Sequence, residues 1–353
     1  MIMKKYSAVV LAAFLCGAPV FATGNVVAPK LIDQLEQTIY GEVRAGSLVG
    51  RLDAVEKDLY GTKLQGTLAE RQAAHIDFVE KGSNGQPSLL FKMSVAEWGL
   101  ELLNNGALPL VSRIPVVEKR LEGAPMDERP VAMRVERVLG MVVSDPVTSV
   151  PVEVPAHTVA RLQLTQTLKP SVTKKGDIVL LRLTHNIVIG NNLVVPVGSP
   201  AEAIVTSVKK PRSFGRPSEI KLSVRKLITL GGGTLPMHEG EESKKATEFE
   251  ASYAAAAGTS LVGALALGPL GLAGGFLVRG NAKDVPAGAV LYAETASAQT
   301  VGAYPVPDSL RPLLKEKYID VVGGGEVKVK KSDDNASPES SPVKKKETEI
   351  DSL

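Results

Sequence analysis

The chain has 353 residues, with 41 Lys and Arg against 38 Asp and Glu, a formal charge of +3. Near-neutrality argues against a nucleic-acid partner, which selects a basic face, and 44% hydrophobic with 22% charged residues is a globular composition. The single cysteine, Cys16, excludes a disulfide framework and a thiolate metal site.

Residues 1–22 read as a cleavable export signal. Lys4 and Lys5 precede an apolar run from Ala8 to Phe14, and Val20-Phe21-Ala22 supplies small residues before a cut after Ala22. The run is shorter than the ~20 residues of a membrane span and is closed by Gly17 and Pro19. Cleavage removes Cys16 and two lysines, taking 41 basic residues to 39 against 38 acidic. The predicted location is the periplasm or the outer-membrane face of a bacterial envelope.

Residues 23–146 carry a helical repeat. The unit LEQTIYG from Leu35 returns as VEKDLYG from Val55, VEKG from Val79, VEKRLEG from Val117 and VERVLG from Val135. Apolar residues four apart, such as Val55 with Leu59 and Val117 with Leu121, stack on one helix face, and the closing glycine is a stop. Ser47 and Thr67 are N-cap residues, Glu70 completes a capping box, and Arg51, Arg71 and Arg129 share a phase. The glutamates and arginines read as solvated surface pairs, and Trp98 reads as a core anchor. Units this short bury their apolar stripe only by stacking on neighbours or on another chain.

Residues 147–306 switch to period two. Strands are predicted at 159–164, within the apolar stretch Ile178 to Ile189, at Leu193 to Val195, Ala203 to Val208, Ile220 to Ile228 and Val290 to Thr295, with a hairpin turn at Gly190-Asn191-Asn192. Three segments share one opening: VPAHT from Val154, VPVGS from Val195 and VPAGA from Val285. Proline suits a strand start, and the Gly or His that follows lets the chain turn. The predicted fold class is α+β: N-terminal short helical repeats followed by a small β-barrel or β-sandwich with a glycine-rich helical insertion.

These motifs resemble the β domain of the scaffold subunit that lines the outer-membrane pore in type IV secretion and conjugation systems. The resemblance runs through Val154 to Thr158, Gly176 to Val179, Val194 to Ser199, Gly215-Arg216 and the segment Ala251 to Val278 ahead of the last strand. It covers about residues 150 to 300, and it implies a barrel and a place in an envelope assembly. The N-terminal half is similar to LExxΦYG-repeat exported bacterial proteins (Φ apolar) of unknown activity.

Within the insertion, 241–280, the 28 residues from Ala251 to Val278 carry no charge. Gly258, Gly263, Gly268, Gly271 and Gly275 spread small residues through them, the composition that lets helices approach closely in lipid. They are the candidate membrane or oligomer contacts, with Pro269 breaking the run into two helical arms; the plainer reading is a helix pair packed on its own barrel. Residues 307–330 read as a linker, and 331–353, rich in Ser, Pro, Lys and Glu, as a disordered tail.

No catalytic, cofactor-binding or metal-binding residue is predicted. His75, His157, His185 and His238 lack a second ligand-type residue at metal-binding spacing, and no nucleophile elbow or phosphate loop is present. His185 reads as a residue of an apolar strand. The expected function is a non-enzymatic cell-envelope scaffold or assembly protein, possible partners being copies of itself or other envelope proteins. The alternative is a periplasmic binding module whose helical repeats hold a polymer or a protein. Mass spectrometry of protein from its native host is expected to find Thr23 at the mature N-terminus; an intact Met1 would refute export.

Overall fold

The computed structural model describes residues 29–83, 86–209, 219–256, 276–279, 284–314, 318–322 and 326–330. The fold is α+β, with helices first and a closed six-stranded barrel after them. The helices are α1 (Pro29–Tyr40), α2 (Leu48–Tyr60), α3 (Leu68–Ile76, continued by a π turn at Asp77–Lys81), α4 (Leu89–Glu101), α5 (Leu110–Glu122) and α6 (Val131–Val142). The Ser47 side chain accepts from Gly50 N, and Thr67 with Glu70 forms the predicted capping box. Gly61 and Gly123 close α2 and α5 in left-handed conformation. Gly140 does not act as a stop, because α6 runs through it to Val142.

The expectation of surface pairs holds for Glu136, which is exposed beside Lys92, but is corrected for the glutamates that face the inside. Glu36, Glu56, Glu97 and Glu118 are buried. Each accepts a backbone N–H from the loop after its own helix: Arg44, Leu64, Asn105 and Met126 donate over 2.8–3.1 Å. Each also takes a two-pronged bond from the arginine one turn into a following helix. Arg51, Arg71, Arg113 and Arg134 bring Nη2 within 2.6–2.7 Å. A carboxylate here satisfies loop donors that water would otherwise serve, and the guanidinium neutralises it. The arginine in phase on α6 is Arg134, four residues past Pro130, so Arg129 was the wrong partner. The α3–α4 junction breaks the ladder at both positions, with Ile76 in place of the glutamate and Lys92 in place of the arginine.

The strands are β1 (Val150–Val154), β2 (Val159–Leu164), β3 (Ile178–Leu183), β4 (Ile187–Ile189), β5 (Asn192–Val195), β6 (Pro200–Lys209), β7 (Glu219–Ile228), β8 (Thr234–His238), β9 (Phe276–Arg279), β10 (Val290–Thr295) and β11 (Gln299–Pro305). The barrel order is β6-β3-β2-β10-β8-β7, closed by β6 on β7, with β9 added along the first half of β7. Period-two alternation fills it with Leu162, Leu181, Leu222, Leu235 and Leu291, among others. A second sheet, β1-β11-β5-β4, lies on the helical half. The long apolar stretch is two strands, because Thr184-His185-Asn186 bends between β3 and β4; His185 is exposed there and not in a strand. Helix α7 (Glu241–Ala256) precedes β9, so the insertion's end at Phe276 is strand and not helix. The stretch read as a linker holds a 3-10 turn at Asp308–Leu314 and two antiparallel strands, β12 (Tyr318–Val322) and β13 (Glu326–Lys330).

Helices and strands share a core. Leu193, Leu230, Tyr304 and Val306 pack in the same buried cluster as Ile39, Leu59, Trp98 and Val138. Trp98, a core residue as predicted, meets Tyr304 edge-on at 6.3 Å. Asn104 donates from its backbone to Val197 O at 2.7 Å and from its side chain to Ser199 Oγ at 2.9 Å. Its own Oδ1 accepts from Arg113 at 3.1 Å, which links the ladder to the barrel. Gly198 beside it has φ +86, and a Cβ there would lie 2.5 Å from Asn104 O.

Arg113→Ala strands the buried Glu97 without its cation and is expected to cost about 3–5 kcal/mol. Because the helices share their buried cluster with β5 and β11 and Asn104 ties that cluster to the barrel turn, chemical denaturation followed by far-UV and by Trp98 fluorescence should show one transition at lower denaturant. A loss under about 1 kcal/mol, the range of exposed pairs, would refute the buried-ladder account.

Candidate functional site

On the barrel wall formed by β2, β10 and β8, inward residues belong to the core, so their neighbours face out. Arg161 and Tyr292 are register partners on that outer face, as are Glu294 and His238. These polar side chains would be solvated on a bare wall, but α7 lies across them. Arg161 grips Glu250 of α7 with two bonds, Nη2 to Oε1 at 2.7 Å and Nε to Oε2 at 3.1 Å, and the Tyr292 hydroxyl donates to the same carboxylate. Burial pushes the Glu250 carboxyl up, but the Arg161 and Tyr292 bonds outweigh it and hold it below the ordinary range.

Seven residues earlier the helix is held at its other end. Glu294 Oε2 accepts from Ser243 N at 2.7 Å, in the first turn of α7 where backbone N–H groups lack helical partners. Gly240 makes this approach possible, since a Cβ there would collide with the Glu294 carboxylate. The other carboxylate oxygen, Oε1, faces two histidines: His157 Nδ1 at 2.7 Å and His238 Nε2 at 3.7 Å. Glu294 is fully buried while the two imidazoles remain partly open to solvent. Burial pushes its carboxyl up, but His157, the Ser243 N–H and His238 together hold it below the ordinary 4.5.

His157 is also conformationally unusual. The three strand-opening turns place their fourth residue in the left-handed region: His157 at φ 63, Gly198 at 86 and Gly288 at 85. Glycine does this freely, whereas a residue with a β-carbon gives up about 1–2 kcal/mol. The turn is tied down by Thr295, whose carbonyl accepts from His157 N at 3.0 Å and whose hydroxyl donates to Pro155 O at 2.7 Å.

Three groups of metal-ligating type therefore meet, their donor atoms all within 4.8 Å of one another. Spacing along the chain did not reveal them, since 137 positions separate His157 from Glu294. The available signal was the odd member of the VPxG set, a histidine where its two sister turns carry glycine. The other histidines are elsewhere: His75 is buried between Tyr60 and Glu56, and His185 sits in its exposed bend. Gly258, Gly263, Gly268, Gly271 and Gly275, and the signal site at Ala22, lie outside the described residues. Among the described residues no helix is long and apolar enough to cross a membrane. No family model, curated protein or solved structure matches the chain.

Glu56, Glu118, Glu250 and Glu294 all have native carboxyls held below the ordinary 4.5. The unfolded chain then binds protons first as pH falls, so their stabilisation is complete above pH 4.5 and drains away as pH drops through the lowered native values. Thermal melts are expected to begin declining as pH drops through the ordinary histidine value of 6.5, because burial lowers His75, and to fall steeply below 4.5 as the carboxylates protonate. Glu294→Gln should flatten part of that fall; an unchanged slope in this variant would refute the assignment.

Proposed function

We propose that this chain is a non-enzymatic scaffold of the bacterial cell envelope, assembling with itself or with other envelope proteins and presenting residues 257–275 to its surroundings. The observation that carries this reading is how that stretch is mounted. On its N-terminal side α7 is fastened to the barrel wall through Ser243 and Glu250; on its C-terminal side β9 pairs with Glu219–Leu222 of β7. Both ends of an uncharged, glycine-rich sequence are thus held on one barrel, the arrangement a scaffold needs to offer an apolar element to a membrane or a partner.

The barrel with a helix inserted ahead of β10 also agrees with the resemblance to the pore-lining scaffold subunit of secretion systems. The alternative, a module binding partners through the helical repeats, gains less support, since the four ladder arginines are engaged inside the fold.

The test is to replace residues 257–275 by a short polar loop, sparing α7 and β9, and to measure membrane sedimentation, native mass and thermal unfolding. The scaffold reading expects a parent that is membrane-associated or oligomeric and a variant that loses this while melting at the parent's temperature. A parent that is a monomer free of membranes refutes it.

A further inference from the structure

We propose that His157, His238 and Glu294 form a binding site for a divalent transition-metal ion of the zinc class at the foot of α7. Two imidazoles with one carboxylate are borderline donors that suit zinc, cobalt, nickel or copper better than calcium or magnesium, which take oxygen shells. The three ligands come from different parts of the barrel: a turn before β2, the end of β8 and the end of β10.

The distances are close to what an ion requires. Around a tetrahedral ion with bonds of about 2.0–2.2 Å, donor atoms stand roughly 3.3–3.6 Å apart. Here Glu294 Oε1 is 2.7 Å from His157 Nδ1 and 3.7 Å from His238 Nε2. The two imidazoles are within 4.8 Å of one another at their donor atoms, with rings 6.3 Å apart. Small movements of two partly exposed rings close the set around an ion, while the buried carboxylate stays in place. Glu294 is already oriented for this role, because Ser243 N holds Oε2 and leaves Oε1 toward the imidazoles.

Two further observations point the same way. The strand-opening turn uses glycine at Gly198 and Gly288, and the only copy to accept a β-carbon in the left-handed region is the one whose ring reaches Glu294. Strain kept at one of three equivalent turns marks a side chain with a task. The cluster also lacks the closure of a finished ion-pair network: His238 Nε2 stands beyond hydrogen-bond distance of Glu294. Three protein ligands leave a coordination position facing solvent, open to water or to a donor from another molecule. Through Glu294 the ion would reach the first turn of α7, coupling metal occupancy to the docking of that helix.

The experiment uses the full chain, free of any polyhistidine tag and stripped with a chelator, titrated with zinc against a fluorescent zinc indicator and with cobalt by visible absorption. One ion per chain is expected, with a rise in melting temperature on adding zinc. His157→Gly restores the residue that the sister turns carry, so it keeps the fold, verified by circular dichroism. It should weaken zinc binding beyond the roughly 10–100-fold that loss of an outer-shell partner costs and abolish the zinc-dependent rise. His238→Ala should do the same. A parent that binds no zinc, or a His157→Gly protein that binds it as tightly as the parent, overturns the site.

Discussion

A carboxylate taken out of water needs a cation and donors around it, and the helical half is arranged to meet that need four times. Each buried glutamate gathers the loop that follows its helix and the arginine of a later one, so consecutive repeats are locked in phase by charge and not by apolar stacking alone. The Glu97–Arg113 pair carries this further. Its guanidinium also holds Asn104, and Asn104 holds the strand-opening turn at Val197–Ser199. The register of α4 and α5 and the position of the barrel turn are therefore set by one polar chain, Glu97–Arg113–Asn104, in an apolar core.

The same chemistry works in reverse on the barrel wall. There polar residues begin on an outer face, and it is the arrival of α7 that withdraws them from solvent. Glu250 answers Arg161, and Glu294 answers the open N–H groups of the helix, so a helix with a weakly apolar sequence docks through charge and hydrogen bonding. The docked helix is what gives residues 257–275 a fixed point of departure, and β9 gives them a fixed return. The scaffold reading and the metal site share this helix and Glu294, but the metal site adds two histidines that the mounting does not require.

The repeated strand opening shows how a single motif serves two ends. In two copies a glycine makes the turn and the side-chain position is empty, once because Asn104 of the helical half presses against it. In the third, histidine makes the same turn at a cost in strain and reaches a buried carboxylate. The scaffold tolerates that substitution because Thr295 ties the turn from both sides.

Much of this was legible in the chain. Four-residue apolar spacing, the caps at Ser47 and Thr67 and period-two alternation follow from local geometry, so they announce helices and strands without knowledge of neighbours. The switch from one to the other falls between Val142 and Val150, beside Asp145-Pro146. Strands with Pro236 in β8 or Gly302 in β11 gave no such signal, because their pairing is imposed by the strands on either side. Burial of Glu36, Glu56, Glu97 and Glu118 was likewise invisible: a glutamate on a helix reads as surface until the packing shows what covers it. The meeting of His157, His238 and Glu294 was decided by tertiary structure alone, since barrel closure sets strands side by side irrespective of their separation along the chain.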